Sequence, residues 1–137
     1  MVLPGWEVFS DSLLASDPHT RVIIAFVEGI RSPQKFVAAA QAAAEAGKPI
    51  LLVKVGRSEA ARQAVQAHTG SLAGSDAVCD AVFRRLGVVR LDTLDEMVEA
   101  AELFLTCPLP QSEGVGLLSL SGGQIGLVAD LAQNLRL

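Results

Sequence analysis

The sequence predicts an α/β protein built on a parallel sheet with helices on both faces. Three observations carry that prediction. Four short runs, RVIIAFV (21–27), ILLVKV (50–55), VVRL (88–91) and VGLLSL (115–120), are almost continuously apolar, the pattern of strands buried on both sides. Helical patterns lie between the runs, and strands that alternate with helices pair in parallel through right-handed crossovers. The 137 residues are 50% hydrophobic and 19% charged, with a mean hydropathy of +0.41, which suits one domain with a genuine core and excludes disorder.

Each element has readable ends. After the first strand, Ser32 is an N-cap with Pro33 at the first helical position, and Gly47 stops that helix just before Pro49. The alanines of VAAAQAAAEAG (37–47) are a close-packed helix face rather than low complexity. Ser75 opens a helix with the stripe Val78, Val82, Phe83 and Leu86, ended by Gly87. Thr93 and Glu96 form a capping box ahead of Leu94, Met97, Val98, Ala101 and Leu105. A last helix starts near Gly123 and is expected to bury Ile125, Val128, Leu131 and Leu135. The expected architecture is a flavodoxin-like or Rossmann-like three-layer sandwich. CPLPQSEG (107–114) is the best linker segment.

Charge and cysteine usage narrow the function classes. A net charge of −4 argues against a nucleic-acid surface, which would show as a basic patch. No apolar run approaches the roughly 20 residues needed to span a bilayer. The start, MVLPGWEVFS, lacks the basic region of a signal peptide. Cys79 and Cys107 have neither metal nor disulfide-framework spacing, which suggests a reducing, cytoplasmic setting. No zinc-type set and no nucleophile elbow is present.

Ligands of open parallel sheets bind beyond the carboxyl ends of the strands. The residues just past each strand are therefore informative. Glu28-Gly29 comes after the first strand. Gly56-Arg57-Ser58 comes after the second, and leads through a short helix to His68-Thr69-Gly70-Ser71. Ser121-Gly122-Gly123 comes after the run at 115–120 and opens a helix, so all three groups are expected at one sheet edge. Each has a plainer alternative. SGGQIG (121–126) offers unobstructed amides at a helix N-terminus to an anion, or is a tight turn with close packing. His68 lies in a polar, glycine-punctuated loop and is either a functional imidazole or a solvent-exposed one. Glu28 either works in the crevice or solvates a strand end. Lys54 and Arg57 can attract phosphate, but Lys54 reads as a packed stem with its head snorkelling to water, and Arg57 as a surface charge. His19, in SDPHT, reads as a turn residue, and Cys79 as a small apolar filler.

The segment from Glu28 to Phe104, with EGI, GKPILLVKVGRS and HTGSLAGSDAV in that order, resembles the succinyl-CoA ligase-like flavodoxin domain of NDP-forming acyl-CoA synthetases. GLLSLSGGQIGLVADLA (116–132) resembles the opening strand and helix of that family's next ligase domain. The resemblance implies that His68 is transiently phosphorylated. An acyl phosphate, made from acyl-CoA and phosphate, gives it the phosphoryl group, which passes to a nucleoside diphosphate. It implies that Glu28 orients the histidine ring and that Ser121, Gly122, Gly123 and Gly70 bind the phosphoryl group. CoA and ADP or ATP with Mg2+ are then the cofactors, bound mainly by a CoA-binding Rossmann domain and an ATP-grasp domain as partners.

On this resemblance residues 1–107 form the flavodoxin-type domain without its first strand, 108–113 a linker, and 114–137 the start of the following domain. The Rossmann and ATP-grasp domains are absent, so the chain is expected to be an incomplete piece, inactive alone. The uncovered sheet edge predicts a homodimer or a requirement for partner domains. The rival reading is a non-catalytic, acyl-CoA-sensing regulatory module, as in ligase-like regions of protein acetyltransferases.

Overall fold

The computed structural model describes residues 13–30, 32–61, 63–64, 75–108 and 116–133. The chain divides into two compact units, Met1–Cys107 and Pro108–Leu137.

The first unit contains α1 (Leu13–Ser16), β1 (Ile23–Val27), α2 (Pro33–Glu45), β2 (Ile50–Lys54), α3 (Asp76–Arg85), β3 (Val89–Leu91) and α4 (Leu94–Thr106). Its strands form a parallel sheet in the order β1-β2-β3, with Val27 opposite Lys54 and Leu52 opposite Arg90. The three-layer α/β architecture expected from the sequence is present. On one face Ile23, Val27, Ile50 and Leu52 pack with Phe36, Ala40 and Ala43 of α2 and Phe83 of α3. On the other, Leu51 and Val53 pack against Met97, Ala100, Ala101 and Phe104 of α4.

The central strand β2 is buried along its whole length, as its unbroken apolar run requires. The small side chains Ala39, Ala40 and Ala43 are buried and let α2 lie close on the sheet. Phe36 and Phe83 meet edge to face with ring centroids 5.5 Å apart, joining α2 to α3. α4 packs mainly on β2 and β3, and Ile24 and Phe26, on the same side of the sheet, are each 54% exposed.

The helix stops obey the sequence signals. Gly47 and Gly87 have φ of 68° and 70°, which an L side chain adopts only with strain. Each closes a Schellman motif: Lys48 N–H donates to Ala43 O at 2.8 Å, and Val88 N–H to Phe83 O at 2.9 Å. The Thr93–Glu96 capping box is formed, with Glu96 N–H donating to Thr93 Oγ1 at 3.1 Å. Ser32 and Ser75 occupy N-cap positions without a side-chain cap bond. His19 lies in a turn, its N–H donating to Asp17 Oδ1 at 3.1 Å. Lys48 Nζ donates to Leu14 O and Asp17 O, fastening α1 to the approach to β2.

Two helix faces differ from expectation. Val78, placed in the α3 stripe, is exposed, while Cys79 packs against the core beside Phe83. On α4 the buried row is Met97, Ala100, Ala101 and Phe104, whereas Leu94, Val98 and Leu105 are exposed. The sheet beneath α4 is narrow, so it covers one row and leaves the neighbouring apolar row in water.

The second unit contains α5 (Gly122–Ala132). The expected strand at 115–120 is not formed: residues 116–119 belong to no strand, and residue 115 lies outside the described residues. Leu118 and Leu120 are 97% and 107% exposed. A strand needs a neighbour to take its N–H and C=O groups, and no described residue pairs with this segment. Ile125, Val128 and Leu131, expected to be buried, are exposed, and Leu135 lies outside the described residues.

Candidate functional site

Because the three strands are parallel and in register, their carboxyl ends meet at one edge. Val55 N–H donates to Val27 O at 3.0 Å, which sets half-buried Glu28 beside the turn leaving β2. That turn is made by buried Gly56, whose φ of 81° sends the chain away from the sheet. Arg57 and Asp92, just past β2 and β3, are joined there as an exposed ion pair, and Arg57 Nη2 donates to Leu91 O at 3.3 Å. Arg57 is thus partnered by protein rather than standing as an open phosphate receptor. Ser58 opens a helical turn, accepting from Ala61 N–H at 3.1 Å. His68 and Gly70 lie outside the described residues. In the chain they fall between the described residues Ala64 and Ser75.

The most heavily charged feature of the edge is a set that the sequence pattern does not announce. The Lys54 side chain is only 2% exposed, so its head does not snorkel to water as expected. Instead Nζ donates to Val55 O at 3.1 Å and stands 3.8 Å from Asp76 Oδ1. Lys54 and Arg90 share the α3 side of the sheet, where the first turn of α3 supplies Asp76. Arg90 Nη2 donates to the same Asp76 oxygen at 2.6 Å, and Nη1 to Asp80 Oδ1 at 3.3 Å. The Arg90 guanidinium also lies 5.9 Å from the Phe83 ring centroid. The Arg90 hydrogen bond, then the nearby charges of Arg90, Lys54 and Arg57, hold the Asp76 carboxyl below its usual range despite some desolvation. Burial opposes the charge on Arg90, but its bonds to Asp76 and Asp80 outweigh that and raise its pKa. Lone charges are costly to bury, which is why Lys54 and Arg90 share the Asp76 carboxylate.

In the second unit, Ser121 is the N-cap of α5 and makes no side-chain cap bond. Its N–H donates to Ser119 Oγ at 3.1 Å, and the Ser119 hydroxyl donates to Gln124 Oε1 at 2.7 Å. A Cβ on Gly122 would meet nothing within 4 Å, and one on Gly123 only Ser121 Oγ at 3.7 Å. Close packing therefore does not explain these glycines. The strand at 115–120 is missing from the sheet of β1–β3, so the expectation that Ser121 emerges from that sheet with Glu28 and Arg57 is not met. Among the described residues there is no cluster of three metal-ligating side chains, and no helix is long and apolar enough to cross a membrane.

A parallel three-stranded sheet with helices on both faces and Glu28 at its carboxyl edge defines an α/β domain. Residues 10–104 match the family described as the succinyl-CoA ligase like flavodoxin domain, and the chain belongs to that family. Among its relatives is the acetate–CoA ligase [ADP-forming] I subunit alpha of Pyrococcus furiosus, 39% identical over 123 residues, which cover 90% of this chain and 25% of the relative. A trans-feruloyl-CoA synthase of an unknown prokaryotic organism is 37% identical over 124 residues, 90% of this chain and 18% of that protein. A solved structure of Ca. Korarchaeum cryptofilum dinucleotide forming acetyl-coenzyme A synthetase 1, in complex with phosphate and ADP, superimposes with a TM-score of 0.77 at 29% identity. That match covers 88% of this chain and 26% of the synthetase chain. The chain thus spans about a sixth to a quarter of the relatives it matches.

Proposed function

We propose that this chain is the phosphohistidine-carrying domain of an ADP-forming acyl-CoA synthetase, an acid–thiol ligase. The observation that carries the reading is the family match over residues 10–104. It takes in Glu28, at the carboxyl edge of the sheet, and His68, which lies between β2 and α3 in the chain.

The chemistry rests on the side chains. A neutral imidazole nitrogen of His68 attacks the phosphorus of an acyl phosphate, the P–O bond to the acyl oxygen breaks, and the acid leaves as carboxylate. Glu28 accepts the N–H of the other ring nitrogen, fixing the tautomer and stabilising the positive charge that develops. Gly70 and the amides at Ser121, Gly122 and Gly123 receive the phosphoryl oxygens. A terminal phosphate oxygen of ADP then displaces the imidazole, and ATP leaves. CoA, ADP and Mg2+ belong to the CoA-binding Rossmann and ATP-grasp partners. Residues 108–113 serve as linker and 114–137 open the next ligase domain. The free cysteines Cys79 and Cys107 accord with a cytoplasmic setting.

The test uses the chain assembled with those domains. His68→Asn is expected to abolish an acid-labile, base-stable label from ATP. Glu28→Gln is expected to slow labelling without removing it, and a bulky replacement at Gly122 to slow it as well. Full acyl-CoA synthesis by His68→Asn would defeat the phosphohistidine assignment, whereas a parent assembly that takes up no label from ATP or acetyl phosphate would favour a non-catalytic, acyl-CoA-sensing module.

A further inference from the structure

We infer that Lys54 and Asp76 are positioning residues for phosphoryl transfer at His68, because their ion pair, braced by Arg90, ties together the end of β2 and the start of α3, between which His68 lies in the chain. The inference rests on the reading of His68 as the phosphoryl carrier.

Lys54 is the last residue of β2 and Asp76 the first of α3, so residues 55–75, His68 among them, lie between the two in the chain. At the neck of this segment one carboxylate oxygen, Asp76 Oδ1, faces Lys54 Nζ at 3.8 Å and accepts from Arg90 Nη2 at 2.6 Å. The cations come from neighbouring strands and the anion from the helix above them. The start of α3 is therefore referenced to the ends of both strands at once. Asp80, one turn further along α3, holds the other side of the guanidinium at 3.3 Å and does not meet Lys54.

Stability alone is a poor account of this arrangement. Taking a lysine head out of water is costly, and an apolar side chain of similar size often serves a core as well or better. A buried ion pair specifies geometry instead, because its charges are matched in one arrangement, whereas apolar surfaces slide. Phosphoryl transfer is sensitive to such placement: a displacement of about 1 Å can cost about a hundredfold in rate. Neither Lys54 nor Asp76 is assigned contact with the phosphoryl group; each acts by fixing an end of the segment that carries His68.

The experiment compares Lys54→Met, Asp76→Asn, Asp76→Glu and Asp80→Asn in the chain assembled with the proposed CoA-binding and ATP-grasp domains. His68 labelling is measured from ATP with Mg2+ and from acetyl phosphate, over a range of donor concentrations. Lys54→Met and Asp76→Asn are expected to slow the maximal rate from both donors by about tenfold or more, with the half-saturating concentrations unchanged. Lys54→Met is expected to do so without lowering the melting temperature. Asp76→Glu regains most of the rate, and Asp80→Asn labels like the parent. Amide exchange at Val55 and Cys79, one on each side of the neck, is expected to quicken in Asp76→Asn but not in Asp80→Asn. Parent-like labelling of Lys54→Met and Asp76→Asn, or equal slowing in Asp80→Asn, overturns the inference. An unlabelled parent removes the phosphohistidine reading and the positioning role with it. Exchange at Val55 and Cys79 then tells whether the neck is held: quickening in Asp76→Asn keeps the ionic tie as a structural feature, and unchanged exchange removes that too.

Discussion

β2 and the segment at 116–120 are written in much the same alphabet, ILLVK against GLLSL. Leu51 and Leu52 are 0% exposed, whereas Leu118 and Leu120 stand almost wholly in water. The first segment has a parallel neighbour on each side and helices on both faces. The second has no paired neighbour among the described residues. Apolar, β-favouring sequence is thus a request for a sheet, and neighbouring strands decide whether it is met. The helices show the same contrast: α2 buries Phe36, Ala39, Ala40 and Ala43, while α5 buries none of its residues.

The largest effect that sharpens this contrast is a pair of truncations. Leu52→Ala should destabilise the first unit by about 2–5 kcal/mol in urea unfolding, whereas Leu118→Ala should stay within about 0.5 kcal/mol. Equal costs would mean that 116–120 is packed as firmly as β2.

The Asp76 substitution comes next. Asp76→Asn removes a charge-assisted bond from Arg90 and should cost about 1–3 kcal/mol near neutral pH. The Asp76 pKa is lowered in the folded state, so the stability it confers is present above the unfolded carboxyl value and is lost as pH falls through the folded one. The gap in melting temperature between parent and Asp76→Asn should therefore be constant near neutrality and begin to narrow below about pH 4. A gap with no pH dependence in the acid range would assign the loss to packing rather than charge.

Glycine gives a smaller contrast of opposite sign. Gly87→Ala places a side chain at φ 70° and should cost about 1–2 kcal/mol in thermal unfolding. Gly126→Ala, inside α5 with open space around its Cβ, should instead favour that helix by about 1 kcal/mol, seen as increased helicity. Smallest is Thr93→Ala, which removes one half of the capping box and should cost about 1 kcal/mol.

The features legible in the sequence are local ones. Gly47, Gly87 and the Thr93–Glu96 pair announce helix ends because the groups that satisfy each end lie within a few residues of it. β1, β2 and β3 are legible because two-sided burial leaves an unbroken apolar run. The α4 face is met at Met97 and Ala101 but not at Leu94, Val98 and Leu105, since hydrophobicity ranks these three above Ala100, while the sheet beneath decides which row is covered. The Lys54–Asp76–Arg90 set is not legible, because its members sit on three elements with no periodic relation and meet only after β2, α3 and β3 have assembled. Of the candidate site, Glu28 stands at the expected sheet edge. Ser121, Gly122 and Gly123 open a helix as expected, but from a segment that forms no strand.

The central claim is that His68 carries the phosphoryl group, and mapping the modified residue tests it most directly. The chain, assembled with the proposed CoA-binding and ATP-grasp domains, would be incubated with ATP and Mg2+, digested at neutral to basic pH, and sequenced by tandem mass spectrometry without acid. The account predicts one phosphoryl group on the peptide containing His68, lost when ADP is added. Phosphate on His19 or on a serine, or a stoichiometric label that survives in His68→Asn, would contradict it.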